Sequence, residues 1–324
     1  MCKKILRTRI IFSFSLLLTT LFSYAKEPGT VGGQALKLGA SSRAMGQGEA
    51  FVAVSDDVSA IYWNPAGLTQ LESSEIALTH MNEIVDVKSF DIAYAIPLYG
   101  YKIGEEQNYR VIGVAMHYLY TDDSARDDEG NELGRFMNYN TYLIFGYAEE
   151  IVDNLSFGLN AKFIYNKIYD CKTSNSAFDI ATIYSPTEKL KFGLNVQNIE
   201  TGIQVKTDET ETLPLNFKTG ISWQVLDPYL KVAFDTNKAI DSKPNFNFGG
   251  EYLILPEFTK NTVIENIAIR IGYKYKPENH TLGGFCGASC GLGIKCEKYQ
   301  FDYAYTPYGD LGNNCHRFSF LVRF

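Results

Sequence analysis

The last segment of the chain has an apolar residue at every second position and ends on an aromatic residue. Its apolar face carries Phe318, Phe320, Val322 and Phe324, and Arg317, Ser319 and Arg323 alternate with them. A period of two with aromatic residues on one face and charges on the other is typical of a strand in the wall of a membrane barrel. The last strand of a soluble sandwich alternates in the same way, so both architectures stay open from this segment alone.

The N-terminus has the layout of an export signal. Basic residues precede an apolar run from 10 to 22, and small residues lead to a cleavage point after Ala25. The run is shorter than the about 20 residues that a spanning helix needs, and charged, Gly or Asn residues interrupt every later apolar run. We therefore assign residues 1–25 to a signal peptide. If the mature chain spans a membrane, its strands must close into a barrel, because lipid offers no partner to an open edge.

Alternating segments recur from residue 75 onward, roughly every 15 to 20 residues, between clusters of Gly, Pro, Asn and Asp. We count about fourteen, from 75–82 to 316–324, and an even number suits a bacterial barrel. The predicted fold is therefore an all-β, antiparallel, up-and-down transmembrane β-barrel of about 14 strands. Ile269 should face lipid, so Ile269→Arg should impair assembly. Arg270 should face a hydrated lumen, so Arg270→Ala should be mild.

Composition and motifs narrow the function classes. The chain has 37 Asp and Glu against 30 Lys and Arg, and four of the basic residues lie in the signal peptide, which argues against nucleic acid as a partner. The four His residues are scattered, and no nucleophile motif, phosphate-binding loop, dinucleotide fingerprint or zinc-protease motif occurs. We predict a protein that is not an enzyme and that uses neither a cofactor nor a metal.

Loop lengths predict an orientation. If the chain enters from the periplasm, connections after odd-numbered strands face outward, and these include the acidic segments 121–138 and 200–213. Turns after even-numbered strands, such as 185–188, are mostly short. Long outer loops and short inner turns are the asymmetry that bacterial barrels have.

Five cysteines follow the signal peptide: Cys171, Cys286, Cys290, Cys296 and Cys315. Cys286 and Cys290 would lie roughly 13 Å apart within one strand, beyond the reach of a disulfide. Hairpin spacing puts Cys286 and Cys315 on either side of the thirteenth strand at one level, about 9 to 10 Å apart. Flexible loops could close this gap in an oxidising compartment, so a Cys286–Cys315 disulfide is a candidate. The alternative is that both thiols stay reduced.

Residues 26–74 separate the signal peptide from the first strand. They are rich in Gly, Ala and Ser, but their aromatic residues favour burial. Ser55 or Asp56 could cap a short helix that ends before Asn64, because Asn64 precedes a proline and is pushed out of helical geometry. Gly67 would then permit a tight reversal. The alternative is a surface linker with one helical turn.

This segment carries recognisable motifs. Between Gly39 and Leu68 stand Ala-Met-Gly, Ala-Phe-Val-Ala, Asp-Asp-Val-Ser-Ala and Trp-Asn-Pro-Ala-Gly-Leu, and the chain closes with FDYAYTPYGDLG at 301–312 and HRFS at 316–319. Both ends resemble outer-membrane proteins of the FadL/TodX-like superfamily, and most closely its PorV/PorQ-type branch. The resemblance implies an N-terminal hatch inside the lumen of a fourteen-stranded barrel.

The resemblance also implies a site. In fatty-acid transporters of this superfamily the Asn-Pro-Ala element kinks the hatch and takes part in opening a route for hydrophobic ligands. Asn64, Pro65 and Ala66, followed by Gly67, are the matching positions here. No ligand-lining residue can be mapped in the same way.

The sequence therefore predicts three regions, namely a signal peptide (1–25), a hatch (26–74) and a barrel (75–324). We expect a passive channel in the bacterial outer membrane, surrounded by lipid and gated by the hatch, for small hydrophobic or amphipathic compounds. The alternative is a PorV-type carrier or binding component of a protein secretion system, whose acidic outer loops would contact exported proteins.

Overall fold

The computed structural model describes residues 31–82, 87–99, 109–127, 129–201, 212–254, 263–277, 283, 285–309 and 314–324. The predicted signal peptide lies outside these residues, as does most of the predicted acidic loop 200–213. No helix within the described ranges is both long and apolar enough to cross a membrane.

Fourteen strands form one closed antiparallel barrel. They are β1 (Glu75–Asn82), β2 (Lys88–Tyr99), β3 (Tyr109–Arg126), β4 (Glu132–Val152), β5 (Leu155–Ile168), β6 (Cys171–Thr187), β7 (Leu190–Glu200), β8 (Asn216–Leu226), β9 (Leu230–Ala239), β10 (Asn245–Ile254), β11 (Ile264–Tyr275), β12 (Ala288–Cys296), β13 (Tyr299–Thr306) and β14 (Cys315–Arg323). Each strand pairs with its neighbours in sequence, and β1 pairs with β14 to close the barrel. The predicted all-β barrel of fourteen strands is confirmed.

Alternation along the strands separates an apolar outer face from a polar inner face. In β11, Ile269 and Ile271 are 42% and 66% exposed, whereas Arg270 between them is 3% exposed. Aromatic side chains pack against each other on the outer face, as Phe301 and Phe320 do with ring centres 4.5 Å apart. A soluble sandwich would bury its apolar face instead, so the alternative architecture is wrong.

Residues 31–74, the described part of the chain before β1, contain four short helical segments. They are a 3₁₀ turn at Gln34–Lys37, helix α1 at Ser42–Gly46, helix α2 at Ala60–Trp63 and a second 3₁₀ turn at Pro65–Gln70. From residue 40 to residue 68, every residue except Asp56 and Tyr62 is buried. The apolar side chains of this segment pack against inward-facing alanines of the wall, among them Ala95, Ala115, Ala233 and Ala304. These residues are therefore not a surface linker.

Two local expectations for this segment need correction. The helix before Asn64 begins only at Ala60, with Ser59 at its N-cap position and no side-chain cap, so neither Ser55 nor Asp56 caps it. Ser55 donates its hydroxyl to the carbonyl of Phe51, and Asp56 binds Arg43. Gly67 makes no left-handed reversal; a Cβ on Gly67 would lie 2.2 Å from the carbonyl oxygen of Ser55, so this glycine serves a close approach. Asn64 does have the extended backbone expected before a proline, with φ −160° and ψ 98°.

The acidic segment 121–138 is not a loop. Most of it continues β3 and β4 as a two-stranded ribbon, whose last pair is Arg126 with Glu132. Asp and Asn are depleted in strands, so the composition pointed to a loop, but cross-strand pairing outweighs this weak preference.

Candidate functional site

Asn64 joins two parts of the N-terminal segment to the barrel wall. Its Nδ2 donates to the carbonyl oxygens of Val52 at 2.9 Å and of Thr182, in β6, at 3.2 Å. Its Oδ1 accepts the backbone N–H of Ala66 at 3.1 Å. Asn64 is fully buried, so removing this amide would leave buried backbone groups without partners, which is the costly kind of loss.

Pro65 and Ala66 lie directly against β5. A Cβ on Gly158 would lie 2.5 Å from the carbonyl carbon of Pro65 and 2.2 Å from the nitrogen of Ala66, so the segment reaches the wall only because Gly158 has no side chain. Below this contact, the hydroxyls of Thr69 and Ser156 are hydrogen-bonded at 2.7 Å.

Amide side chains of the wall hold helix α2 at its carboxyl end. Asn160 donates to the carbonyl of Ile61 at 2.8 Å, Asn195 to that of Trp63 at 2.8 Å and Gln197 to that of Tyr62 at 2.9 Å. The last carbonyls of a helix have no partner within the helix, so these donors satisfy groups that burial would otherwise leave unbonded. The periodicity of β5 and β7 indicated that these amides face inward but not what they bind.

Asp235 of β9 holds the preceding stretch of the segment. Its Oδ2 accepts the backbone N–H groups of Phe51 at 2.7 Å and of Val52 at 2.8 Å. One carboxyl oxygen thus satisfies two buried backbone donors of the segment.

Arg43 of α1 is the centre of a buried ion network. Its Nε and Nη2 bind both carboxylate oxygens of Glu251, in β10, at 3.0 and 2.9 Å, and its Nη1 binds Asp56 at 2.5 Å and Asp57 at 2.9 Å. Glu251 also accepts from Nε of Arg270 at 2.6 Å. The network therefore runs from the segment into the wall.

Neighbouring charges keep Asp56 and Arg43, the two groups of this network discussed next, in their charged forms. Burial alone would raise the pKa of Asp56, but Arg43 and Lys231 hold the pKa well below its ordinary value. Burial would lower the pKa of Arg43, yet the carboxylates of Asp56, Glu251 and Asp57 raise that pKa further above its already high value. Both groups are thus charged at neutral pH.

The expectation that Arg270 lines a hydrated lumen is wrong. Its guanidinium binds Glu251 and, through Nη1 at 2.6 Å, Asp302 of β13. The alternating pattern identified the inward face correctly. The space in front of that face is occupied by the chain's own N-terminal segment rather than by water.

The cavities between segment and wall are small. One of about 20 Å³ lies beside Asp57, Asp91 and Asp302, and another of about 90 Å³ lies between Lys37 and Lys274. A cavity needs about 10 to 15 Å³ to hold one water molecule, so the smaller has room for one water and the larger for several. Both are smaller than a cavity of about 150 Å³, which holds a benzene ring.

A buried His–Asp pair in the wall was not predictable from the sequence. His117 of β3 and Asp91 of β2 are register partners, with Nδ1 and Oδ1 2.5 Å apart, and the imidazole stacks on Tyr142 with ring centres 4.6 Å apart. His117 is fully buried. Only the pairing register brings the two residues together, because they stand far apart in sequence.

The cysteine predictions have different outcomes. From the strand spacing we expect Cys171 in the loop after the fifth strand, but it is the first residue of β6. Cys315 is buried and faces Thr306 of β13, and Cys286 is half-buried two residues before β12. Their pairing stays a prediction. Among the described residues, no group of three or more His, Cys, Asp or Glu side chains has an arrangement that could hold a metal ion.

No family model and no curated protein sequence matches the chain. Solved structures do match in fold. A deletion mutant of the TodX monoaromatic hydrocarbon channel is 8% identical with a TM-score of 0.56, and the match covers 88% of this chain and 99% of the mutant's chain. The CymD monoaromatic hydrocarbon channel and a FadL homologue of Pseudomonas aeruginosa are each 11% identical with TM-scores of 0.51, and each match covers 88% of this chain and 98% of the other. The chain thus has a closed barrel fold similar to that of FadL/TodX-type hydrocarbon channels.

Proposed function

We propose that the protein is a passive outer-membrane channel for small hydrophobic or amphipathic compounds, gated by a hatch formed by residues 26–74. One observation supports the proposal: nearly all of residues 40–68 are buried among inward-facing side chains of the wall, which holds them through single polar side chains as well as through the Arg43–Glu251 ion pair. Asn160, Asn195 and Asp235 each contact backbone groups of the segment. Such hydrogen bonds contribute only about 0.5 to 1.5 kcal/mol each, because water can replace either partner when the segment moves.

Two further observations support the proposal. Structural neighbours of similar fold are described as channels for monoaromatic hydrocarbons. Large apolar side chains, among them Ile112, Phe145, Phe163, Trp223, Ile271 and Phe301, are exposed on the outer face of the barrel. Such a face suits the hydrocarbon layer of a membrane, which is the reason for placing the protein in the outer membrane.

The element Asn64–Gly67 is the proposed gate. Asn64 bonds the segment to β6, and Pro65 and Ala66 pack on Gly158 of β5. Movement here would separate the segment from two adjacent strands at once.

Uptake of toluenesulfonate, an amphipathic anion that crosses a lipid bilayer slowly, into liposomes tests the proposal. Asn64→Ala removes three hydrogen bonds, of which the one to Thr182 joins the segment to the wall, so we expect faster uptake than with wild-type protein. If the closed state loses about 1.4 kcal/mol, the open population rises tenfold while it is small. Asn64→Asp keeps the acceptor for Ala66 but sets a carboxyl oxygen against the carbonyls of Val52 and Thr182, so it should raise uptake at least as much as Asn64→Ala does. Uptake no faster than into protein-free liposomes with all three proteins would contradict the proposal.

The narrower assignment to the PorV/PorQ-type branch, with a role in protein secretion, rests on the sequence resemblance at 39–68 and 301–319. Exported proteins would then co-purify with the barrel after mild cross-linking. Recovery of the barrel alone would favour the channel.

A further inference from the structure

The β3–β4 ribbon extends beyond the rest of the barrel wall. The pairing of β2 with β3 ends where Lys88 faces Tyr120, and β4 pairs with β5 only from Tyr139 onward. Beyond these points residues 121–126 pair with 132–138 alone among the described residues. Six residues at about 3.3 Å each put the ribbon roughly 20 Å above its neighbours.

The two edges of the ribbon differ. The ring of Tyr169 packs edge-on against Phe136 with centres 5.0 Å apart, and the N–H of Tyr169 donates to Asn138, so the β4 edge is covered near its base. No residue that the structure describes pairs with the β3 edge at 121–126. There, the backbone N–H of Ser124 donates to Oδ1 of its neighbour Asp123 at 3.0 Å. A side chain thus occupies the place that a neighbouring strand would take.

An open edge of this kind is a template for another strand, and proteins normally cover or blunt such edges. A ribbon of two strands is also marginally stable in water, whereas three strands with a shared face are stable. We infer that the β3 edge at 121–124 binds an extended segment of a protein partner by strand addition.

Charge identifies the partner. Residues 121–138 contain six Asp and Glu against two Arg. Asp122 and Asp123 are both exposed, and they point to opposite faces because successive residues of a strand alternate. A strand added beside β3 has one carboxylate next to each of its two faces. The partner segment therefore carries two adjacent basic residues, one on each face. A second copy of this chain would place the same carboxylates opposite each other, which is repulsive.

Two synthetic peptides test the inference with the full chain in a neutral detergent. One is Thr-Val-Thr-Lys-Lys-Thr-Val-Thr, and the other has Glu-Glu at its centre. The Lys-Lys peptide should bind at low salt, more weakly as salt is raised, and the Glu-Glu peptide should not bind. Binding should slow hydrogen exchange at the amide of Ser124.

Ser124→Pro and Ser124→Ala form a matched pair. Proline removes the edge N–H and is tolerated at strand edges, so Ser124→Pro should weaken the Lys-Lys peptide at least tenfold. Alanine keeps the N–H and should bind as the wild type does. Asp122→Asn with Asp123→Asn should lower the affinity and reduce its salt dependence. Equal binding by the proline and alanine variants, a dimer joined through the ribbon, or no binding of the Lys-Lys peptide would overturn the inference.

Discussion

Buried charged side chains on the inner face of the wall bind one another and the N-terminal segment. Arg270 donates to Glu251 and Asp302 and is 3% exposed, and Glu251 also receives Arg43 from the N-terminal segment. A buried ion network contributes little when complete, but removing one member leaves its partners charged and unpaired. Arg270 therefore couples the stability of the barrel to the binding of the N-terminal segment by the wall.

Arg270→Ala tests this view at the residue scale. We expect a loss of about 3 to 5 kcal/mol, because the buried carboxylate of Asp302 loses its guanidinium partner and Glu251 keeps only that of Arg43. Arg135→Ala is the control, since its side chain is 85% exposed and such substitutions usually stay within about 0.5 kcal/mol. Urea unfolding in detergent measures both. A stability for Arg270→Ala equal to that of the control would mean that the interior network is not formed.

Acid should release the Arg43–Asp56 contact only well below neutral pH. The pKa of Asp56 is lowered in the fold, so its contribution is complete above the ordinary value of about 3.9 and is lost as the pH falls through the lowered value. The stability difference between wild type and Asp56→Asn should stay constant from pH 7 to pH 5 and shrink below about pH 4. Urea unfolding over this pH range measures it. A difference that vanishes near pH 6 would contradict the assigned charges.

At the scale of elements, the contact between the N-terminal segment and the wall depends on glycines in the strands. Gly158→Ala would push its new methyl into Pro65 and Ala66, where overpacking costs about 1 to 3 kcal/mol. We expect lower stability and faster protease cleavage within residues 60–74. Gly250→Ala is the control, because a Cβ there meets only Ile271, at 3.7 Å. Equal cleavage of both variants would show that β5 does not hold the segment in place.

The strands were predictable because a barrel wall imposes period two and exposes one apolar face to its surroundings. Ile269 and Arg270 were therefore placed on the correct faces. The sequence has no comparable pattern for what an inward-facing side chain binds. A polar side chain that lines water and one that binds a buried backbone carbonyl, as Asn160 does, give the same alternation. The length of β3 and β4 was missed for a related reason, since Asp, Asn and Gly indicate loops unless pairing overrides them.

For the candidate site, the local geometry followed from the sequence and the long-range contacts did not. The extended backbone of Asn64 follows from the proline after it. The bond from Asn64 to Thr182 joins residues 118 apart and depends on how the barrel closes. His117 and Asp91 likewise meet only through strand register.

At the scale of the whole molecule, the segment runs the length of the barrel. The N–H of Gly32 donates to the carbonyl of Thr212 and Lys37 binds Asp241 at one end, whereas Thr69 contacts Ser156, near the start of β5, at the other. Strands that run up and down place residues 212 and 241 at the end opposite to residue 156. The proposed route through the barrel would therefore require the segment to move.

A reversible cross-link between segment and wall tests that claim most directly. Thr69 and Ser156 already place their hydroxyl oxygens 2.7 Å apart, so Thr69→Cys with Ser156→Cys should form a disulfide on oxidation. We predict that toluenesulfonate uptake falls to the rate of protein-free liposomes when this pair is oxidised and returns after reduction. Each single cysteine variant should take up toluenesulfonate at one rate under both conditions. Undiminished uptake through the oxidised double variant would contradict gating by the segment.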